Sequence, residues 1–301
     1  MLIVTCPGQG SQTPGFLAPW LELESFANLI GEMSEAIGVD LVRHGTVSDA
    51  DTIRNTALAQ PLIVAASIAS AQEIGSGFSG VAGHSVGEVA AAAISGILSS
   101  KDAMRLVKER GDTMAAAASM GNGGMAAILG GDQAVVLKRL EELGLETANY
   151  NGAGQIVAAG TMEAINQLVT EGIDGARAVA LQVAGAFHTS FMTAAMQSLQ
   201  VFSKTLEIAD PQVRLWSNQN AQLVDSGQEY IDLLIGQVAN SVRWDLCMDA
   251  FVGAGVTAMI EVCPAGVLTG LGRRAMPGVE VLALKTPDQI DAAKTLINSH
   301  A

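Results

Sequence analysis

The chain has 301 residues, of which 49% are hydrophobic and 15% charged, and its formal net charge is −14 at pH 7. This composition excludes a disordered chain, and the strongly negative charge excludes a surface built to bind nucleic acid. The three cysteines, Cys6, Cys247 and Cys263, are far apart and show no CxxC spacing, which is typical of reduced thiols. The sequence contains no apolar run of membrane-spanning length and no signal-peptide pattern at its start. We therefore expect a cytoplasmic protein without a membrane partner.

Apolar strands alternate with helices at both ends of the chain. The elements predicted there are strands over 2–6, 80–83, 257–262 and 279–284, and helices over 60–74, 86–98, 101–118, 190–206, 267–275 and 288–298. Such alternation predicts an α/β protein whose parallel sheet is covered by helices on both faces.

The middle of the chain has a different pattern. Its predicted elements are strands over 125–129, 155–159 and 178–183 and helices over 133–143 and 162–171, with short connections. This β-α-β-α-β pattern predicts a small ferredoxin-like subdomain over 123-186, inserted into a catalytic domain formed by 1-122 and 187-301.

The segment Gly83-His84-Ser85-Val86-Gly87 matches the G-x-S-x-G nucleophile elbow. It lies between a small-residue strand and an alanine-rich helix, where a sharp turn would lift the Ser85 hydroxyl clear of the sheet. A helix N-terminus at this point favours developing negative charge. The other interpretation is an ordinary strand-to-helix turn with Ser85 as N-cap.

The best candidate for a base is His188, which lies between a predicted strand and a predicted helix. The alternative is an ordinary loop histidine. In a hydrolase triad an acid would follow the serine in the chain, and Asp102, Asp112, Asp132 and Asp174 are available. A backbone carbonyl could orient the histidine equally well.

Arg110 falls within the apolar arc of the helix predicted over 101–118, when residues are placed at about 100° per residue. A guanidinium that points into a core keeps its proton and needs an anion. That anion could be an internal Asp or Glu, or the carboxylate of a substrate, which the planar guanidinium binds in bidentate fashion.

A glycine-rich loop, Gly8-Gln9-Gly10-Ser11-Gln12, follows the first predicted strand. It lacks the GK[ST] ending of a phosphate-binding P-loop. It could instead supply one N–H group of an oxyanion hole, with the Val86 N–H group as the other.

Taken in order, these motifs resemble the malonyl-CoA:acyl-carrier-protein transacylases and related acyltransferase domains of fatty-acid and polyketide synthases. The resemblance extends over the whole chain. The segments that carry it are 7–12, 83–88, Arg110-Gly111 with Met114, 151–160, 186–188, 237–244 and 261–266.

The resemblance implies an α/β-hydrolase-like large domain with a ferredoxin-like insert. It also implies catalytic roles: Ser85 as nucleophile, His188 as its base, and Gln237 orienting that base through a backbone carbonyl. The N–H groups of Gln9 and Val86 would form the oxyanion hole.

For the substrate, the resemblance implies that Arg110 binds the malonyl carboxylate and that Phe187, like His84, lines the acyl site. A bulky ring at position 187 is typical of malonyl-selective members. Two residues depart from the common pattern, Ala115 in place of glutamine and Ser241 in place of proline, and the second is expected to loosen a loop.

The activity implied is a ping-pong transfer of malonyl from malonyl-CoA to the phosphopantetheine thiol of acyl carrier protein, with no metal or other cofactor in the enzyme, which we expect to be a monomer. Two other interpretations stay open from the sequence. One is a serine thioesterase or esterase, which would release CoA without a carrier protein. The other is a catalytically silent acyl-binding protein, which would form no malonyl-serine adduct.

Overall fold

The computed structural model of the chain describes residues 1–183 and 185–300, which form two five-stranded sheets surrounded by helices. The strands are β1 (Leu2–Cys6), β2 (Gly80–Gly83), β3 (Gly123–Gly130), β4 (Glu146–Gly152), β5 (Gln155–Thr161), β6 (Ala176–Ala180), β7 (Arg214–Trp216), β8 (Val242–Arg243), β9 (Ala258–Glu261) and β10 (Glu280–Ala283).

The α-helices are α1 (Glu24–Ile37), α2 (Leu41–Thr46), α3 (Ala50–Arg54), α4 (Thr56–Ile74), α5 (Gly87–Ile94), α6 (Ser100–Met120), α7 (Gln133–Glu142), α8 (Met162–Glu171), α9 (Thr193–Phe202), α10 (Gly227–Gly236), α11 (Trp244–Gly253), α12 (Val267–Ala275) and α13 (Ile290–His300). Short 3-10 helices cover Trp20–Glu22, Ser190–Met192, Ser203–Thr205, Gln237–Ala239 and Pro287–Gln289.

The first sheet has the strand order β10-β9-β1-β2-β7, and all its strands are parallel, as the sequence predicted. β1 and β2 pair from Ile3 opposite Gly80 to Cys6 opposite Gly83, so the two strands end side by side. The loops that follow them therefore leave the same carboxyl edge of the sheet. This edge is where parallel α/β folds place their ligand sites.

Helix α4 is the core helix of this part of the chain. It begins at Thr56, before the predicted start at residue 60, because the Asn55 side chain accepts the Ala57 N–H group at 2.9 Å and caps the helix. By length and composition α4 could cross a membrane, but 78% of its apolar window is buried inside the protein. It packs against α1, α5 and α6, which explains its apolar sequence.

The second sheet has the order β6-β3-β5-β4-β8, and β3 pairs antiparallel with both β5 and β6. β4 was not predicted from the sequence, so the predicted β-α-β-α-β pattern is wrong and the segment folds as β-α-β-β-α-β. β4 carries Glu146, Asn149 and Asn151 among its seven residues and lacks the apolar run by which buried strands are found.

A strand from the later part of the chain joins this second sheet. β8 pairs in parallel with β4, with Asn149 opposite Val242 and Tyr150 opposite Arg243. Ser241, which was expected to loosen this loop, instead donates its hydroxyl to the Thr147 carbonyl oxygen at 2.5 Å. The contact ties the segment before β8 to β4, within the second sheet.

The remaining differences from the predicted elements lie at helix ends and in segments for which no element was predicted. α5 ends at Ile94 instead of residue 98, and the last predicted middle strand lies at Ala176–Ala180 instead of 178–183. No counterpart was predicted for α1 to α3, or for β7, α10, β8 and α11. α2 and α3 are only six and five residues long, too short for a helical repeat to be visible in the sequence.

Candidate active site

Ser85 occupies a sharp turn between β2 and α5, and its backbone is in the left-handed region, with φ at 53°. A Cβ atom at Gly83 would lie 2.2 Å from the backbone of Gly87, and one at Gly87 would lie 2.1 Å from the Cys6 carbonyl oxygen. Neither position has room for a side chain. The two glycines of the G-x-S-x-G motif are therefore a steric requirement of this turn.

His188 places its imidazole against the serine hydroxyl. Its Nε2 atom is 2.7 Å from Ser85 Oγ, and its Nδ1 atom is 2.9 Å from the backbone carbonyl oxygen of Gln237. Because a carbonyl only accepts, Nδ1 carries the proton and Nε2 is free to take one from serine. Burial, reinforced by the positive charge of Arg110, lowers the pKa of His188 from 6.5 to about 3, so the ring is neutral at pH 7.

The group that orients His188 is thus a backbone carbonyl, one of the two possibilities that the sequence left open. The four aspartates lie elsewhere. Asp102 and Asp112 form ion pairs on α6, Asp132 caps the start of α7, and Asp174 is exposed. The geometry therefore contains a serine–histidine pair in which no acid touches the imidazole among the described residues.

Arg110 points from the apolar face of α6 into the same site, as the helical wheel predicted, and is only 1% exposed. Its Nη1 atom donates to Gln60 Oε1 at 2.8 Å, and its Nη2 atom lies 3.4 Å from both Ser85 Oγ and Gln237 Oε1. Within residues 1–183 and 185–300 no carboxylate forms an ion pair with it, and Nε has no hydrogen-bond partner. A buried cation in this state is suited to an anionic ligand.

A buried polar network that was not predicted from the sequence lies behind this arginine. Glu88 accepts the Asn218 backbone N–H group at Oε1 and the Gln237 side-chain amide at Oε2, both at 2.7 Å. Burial raises the pKa of Glu88 to about 8, while the Asn218 N–H group and the charge of Arg110 act to lower it. Glu88 is the one charged residue of the apolar helix α5. That is the same anomaly that marked Arg110, and it could have found Glu88.

The N–H groups of Gln9 and Val86 lie at the same edge of the sheet. A Cβ atom at Gly8 would come within 2.8 Å of the His84 ring, so the loop after β1 lies directly against the turn that holds Ser85. Both Gln9 and Val86 line the cavity above Ser85, and neither N–H group has an acceptor in the described part of the chain. Of the two interpretations left open for this loop, the position beside Ser85 favours the oxyanion hole over a phosphate cradle.

A cavity of about 530 Å³ lies above Ser85, with walls from both sheets. Phe187 and His84 line it on the side of the first sheet, and the His84 Nε2 atom is 2.9 Å from Asn151 Oδ1 of β4. The remaining histidines are elsewhere, with His44 against Ser48 and His300 against Thr257. Across the described ranges no three His, Cys, Asp or Glu side chains come together as a metal site requires.

A serine hydroxyl with a neutral histidine at its side, at the carboxyl edge of a parallel sheet, defines a class of enzymes that form covalent acyl-serine intermediates. The buried guanidinium beside that hydroxyl adds a site for an acyl group that ends in a carboxylate. The chain belongs to the acyl transferase domain family, whose model matches residues 4–294.

Named relatives resemble this chain over nearly its full length. A malonyl CoA-acyl carrier protein transacylase from Mycobacterium tuberculosis (strain ATCC 25618 / H37Rv) is 44% identical and covers 98% of this chain and 100% of that relative. The corresponding protein of Escherichia coli (strain K12) is 34% identical over 96% of this chain and 97% of its own length.

Solved structures show the same similarity over nearly the full length of the chain. The crystal structure of MCAT from Mycobacterium tuberculosis superposes with a TM-score of 0.94 at 44% identity, covering 98% of this chain and 99% of that one. A malonyl-transacylase solved in complex with its type II PKS acyl-carrier protein superposes with a TM-score of 0.92 at 30% identity, covering 98% and 99%.

Proposed function

We propose that this enzyme transfers a malonyl group from malonyl-CoA to the phosphopantetheine thiol of acyl carrier protein, through a malonyl ester on Ser85. The observation that carries the proposal is the convergence of three groups on one cavity. The Ser85 hydroxyl lies 2.7 Å from a neutral imidazole and 3.4 Å from a buried guanidinium. The transacylases that match the whole chain carry the same activity in their names.

In the loading step Ser85 Oγ attacks the thioester carbonyl carbon while His188 Nε2 takes the hydroxyl proton. The charge that develops on the carbonyl oxygen is stabilised by the N–H groups of Gln9 and Val86, each worth about 3–4 kcal/mol in the transition state. The imidazolium is held by its Nδ1–H bond to the Gln237 carbonyl oxygen. The C–S bond then breaks, and CoA leaves as a thiol with the proton from His188.

In the transfer step the thiol of the carrier protein's phosphopantetheine arm gives its proton to His188 and attacks the ester carbonyl. The same N–H groups receive the oxyanion. The C–O bond to Ser85 breaks, and Oγ regains the proton from His188. Both half-reactions use only groups of this chain and the thiol that the partner brings.

Selectivity is assigned to Arg110, Phe187 and His84. The guanidinium of Arg110 would bind the terminal malonyl carboxylate, because its Nη2 atom already lies beside the oxygen that carries the acyl group. The ring of Phe187, which lines the cavity, would leave no room for a methyl group on the α-carbon. His84 would complete the wall, fixed by its hydrogen bond to Asn151.

We also propose a domain architecture and a cellular location for this enzyme. The five parallel strands support an α/β-hydrolase-like catalytic domain over 1-122 and 187-301. The β-α-β-β-α-β segment with strand order β6-β3-β5-β4 supports a ferredoxin-like subdomain over 123-186. The burial of α4 inside the protein supports a soluble enzyme, which we place in the cytoplasm.

Intact-mass spectrometry after brief exposure to malonyl-CoA tests the function. We expect one malonyl group on the wild-type enzyme, none on Ser85→Ala, and loss of the adduct when carrier protein with a free phosphopantetheine thiol is added. Fast CoA release without carrier protein would identify a thioesterase, and an unmodified wild-type enzyme would identify a silent acyl-binding protein.

A further inference from the structure

Glu88 is a fully buried carboxylate that takes no part in the proposed reaction. It lies on α5, where its backbone N–H group donates to the Ser85 carbonyl oxygen at 3.0 Å, but its side chain forms a hydrogen bond with neither the serine nor the histidine. Its two oxygens accept N–H groups from Asn218 and Gln237. Among the described residues no cation forms an ion pair with it. Burying a carboxylate without a paired cation carries a large desolvation free energy, which indicates a specific role for Glu88.

The amide of Gln237 connects Glu88 to Arg110. Its Nε2 group donates to Glu88 Oε2 at 2.7 Å, and its Oε1 atom faces Arg110 Nη2 at 3.4 Å. An amide has one donor side and one acceptor side, and an ionised carboxylate only accepts. The Nε2 group also donates to Asn218 Oδ1. Glu88 and Asn218 together therefore keep the donor side of the amide away from the guanidinium.

We infer that Glu88 is a positioning residue for malonyl selectivity: it holds the Gln237 amide with its oxygen toward Arg110 and so fixes the guanidinium for the substrate carboxylate. The inference rests on the proposed function. Hydrogen-bonded groups in a buried chain polarise one another, so the negative charge of Glu88 also makes the Gln237 oxygen a better partner for Arg110.

The indirect connection has a consequence for binding. A carboxylate in direct contact at Nη2 would neutralise the guanidinium and would compete with the substrate carboxylate for the edge that faces Ser85. With one amide between them, Glu88 compensates the charge of Arg110 while the edge near Ser85 stays available. In agreement, the charge of Glu88 raises the pKa of Arg110 against the effect of burial, and the charge of Arg110 lowers the pKa of Glu88.

The titratable groups around Glu88 come from three other helices. They are Arg110 of α6, Tyr230 of α10, whose hydroxyl donates to the Glu88 carbonyl oxygen at 3.3 Å, and Cys247 of α11. Burial and the charge of Glu88 both raise the pKa of Tyr230 and of Cys247, so these two stay neutral near pH 7. With its own pKa raised to about 8, Glu88 is mainly protonated at pH 7 and mainly ionised at pH 9, so its hold on the Gln237 amide strengthens over that range.

The variant Glu88→Gln tests this role, because it keeps the size of the side chain and gives it an N–H₂ group. That group opposes either the Gln237 Nε2 group or the Asn218 N–H group, because both donate to Glu88. Either conflict weakens the hold on the Gln237 amide, of which only the Asn218 Oδ1 contact is then left unopposed, and lets the amide turn its donor side toward Arg110. We expect the ratio of kcat/KM for malonyl-CoA to that for acetyl-CoA to fall on the order of tenfold or more, mainly through KM for malonyl-CoA. Glu88→Asp, which again only accepts, should regain part of that ratio.

The matched control is Glu261→Gln. Glu261 is also fully buried and also accepts only N–H and O–H groups, those of Gly266, Leu268 and Thr269, but it touches neither Gln237 nor Arg110. We expect it to lose stability and to keep the wild-type ratio. In the wild type the ratio should rise with pH between about 6 and 9, while in Glu88→Gln it should be flat.

A double-mutant cycle tests whether Glu88 acts through the Gln237 amide, and its Gln237→Met arm remains a test if Glu88→Gln folds poorly. Gln237→Met removes the amide, so on its own it should lower the ratio, and adding Glu88→Gln should lower it no further. An unchanged ratio in Glu88→Gln, or additive losses in the cycle, would overturn the inference. Failure of the wild type to transfer malonyl would overturn the proposed function instead, which keeps the two outcomes separate.

Discussion

Ser85 and His188 face each other with left-handed backbones, at φ of 53° and 60°. Neither residue type adopts this region without cost, and such strain persists only where the surrounding structure holds it. Here the backbone of β1 and the glycines at 83 and 87 enforce the turn at Ser85, while the Gln237 carbonyl holds the imidazole. The strain places the two side chains in hydrogen-bond contact before any substrate arrives.

The charge of Arg110 should determine which acyl group is accepted. In Arg110→Ala the malonyl carboxylate loses its buried partner, so kcat/KM for malonyl-CoA should fall on the order of a hundredfold, while that for acetyl-CoA should change little. Steady-state transfer to carrier protein measures both. Arg105→Ala, on the solvent face of the same helix, is the control. A variant at position 110 that still prefers malonyl-CoA would refute the assigned role.

The same arginine should also influence the pH dependence of the base. Burial is the first cause of the low pKa of His188 and the charge of Arg110 the second. Arg110→Met removes that charge, so the pKa of His188 should rise and the acidic limb of kcat/KM for acetyl-CoA should move to higher pH. Acetyl-CoA is used because it has no carboxylate to bind at 110. A limb that stays in place would mean that burial alone sets the pKa.

At the scale of elements, the turn from β2 to α5 depends on the close approach of β1. Gly87→Ala would place a Cβ atom 2.1 Å from the Cys6 carbonyl oxygen, a backbone atom that cannot rotate away. We expect a loss of about 2 kcal/mol or more in the free energy of unfolding, measured by urea denaturation, together with loss of activity as Ser85 moves.

Gly31→Ala is the opposite case and serves as the control. Gly31 lies inside α1, and a Cβ atom there would meet no other atom within 4 Å. Alanine should therefore raise the free energy of unfolding by about 0.5–1 kcal/mol without touching activity. Destabilisation at both positions would show that the effect at Gly87 is not specific to the turn.

At the scale of the whole molecule, the site depends on the joint between two sheets. The first sheet supplies Ser85, and the second closes the cavity with β4, to which β8 adds a strand from the later part of the chain. The His84–Asn151 hydrogen bond crosses the same cleft. The acyl pocket therefore requires both sheets in contact, although the chemistry lies entirely at the edge of the first.

The buried charge of Glu88 should make the stability of the whole protein depend on pH. Its pKa is raised from 4.5 to about 8 in the folded state, so the folded protein binds this proton more tightly than the unfolded chain. The resulting stability is fully present below the unfolded pKa and is lost as the pH rises through the folded one. We expect the unfolding free energy of the wild type to fall from about pH 5 to pH 9 relative to that of Glu88→Gln.

Urea denaturation of both proteins across that range measures this difference, and Glu261→Gln, for which the wild-type dependence should persist, is the control. Parallel curves for the wild type and Glu88→Gln would contradict the prediction. Ionisation of Glu88 is thus expected to lower the stability of the folded protein and, at the same time, to raise its selectivity for malonyl-CoA over acetyl-CoA.

The sequence by itself determined the features that local chemistry requires: the alternation that gives a parallel sheet, the glycines around Ser85, and the arginine on the apolar face of α6. The residue pattern alone left open what orients His188, which only the resemblance to the transacylases assigned to Gln237, and it missed β4 and Glu88. Those were decided by the tertiary structure, because the bonds involved join residues far apart in the chain, 49 positions for His188 with Gln237 and 149 for Glu88 with Gln237. Such pairings depend on how the sheets and helices pack against each other. The hydrophobic periodicity of a short segment carries no information about that packing.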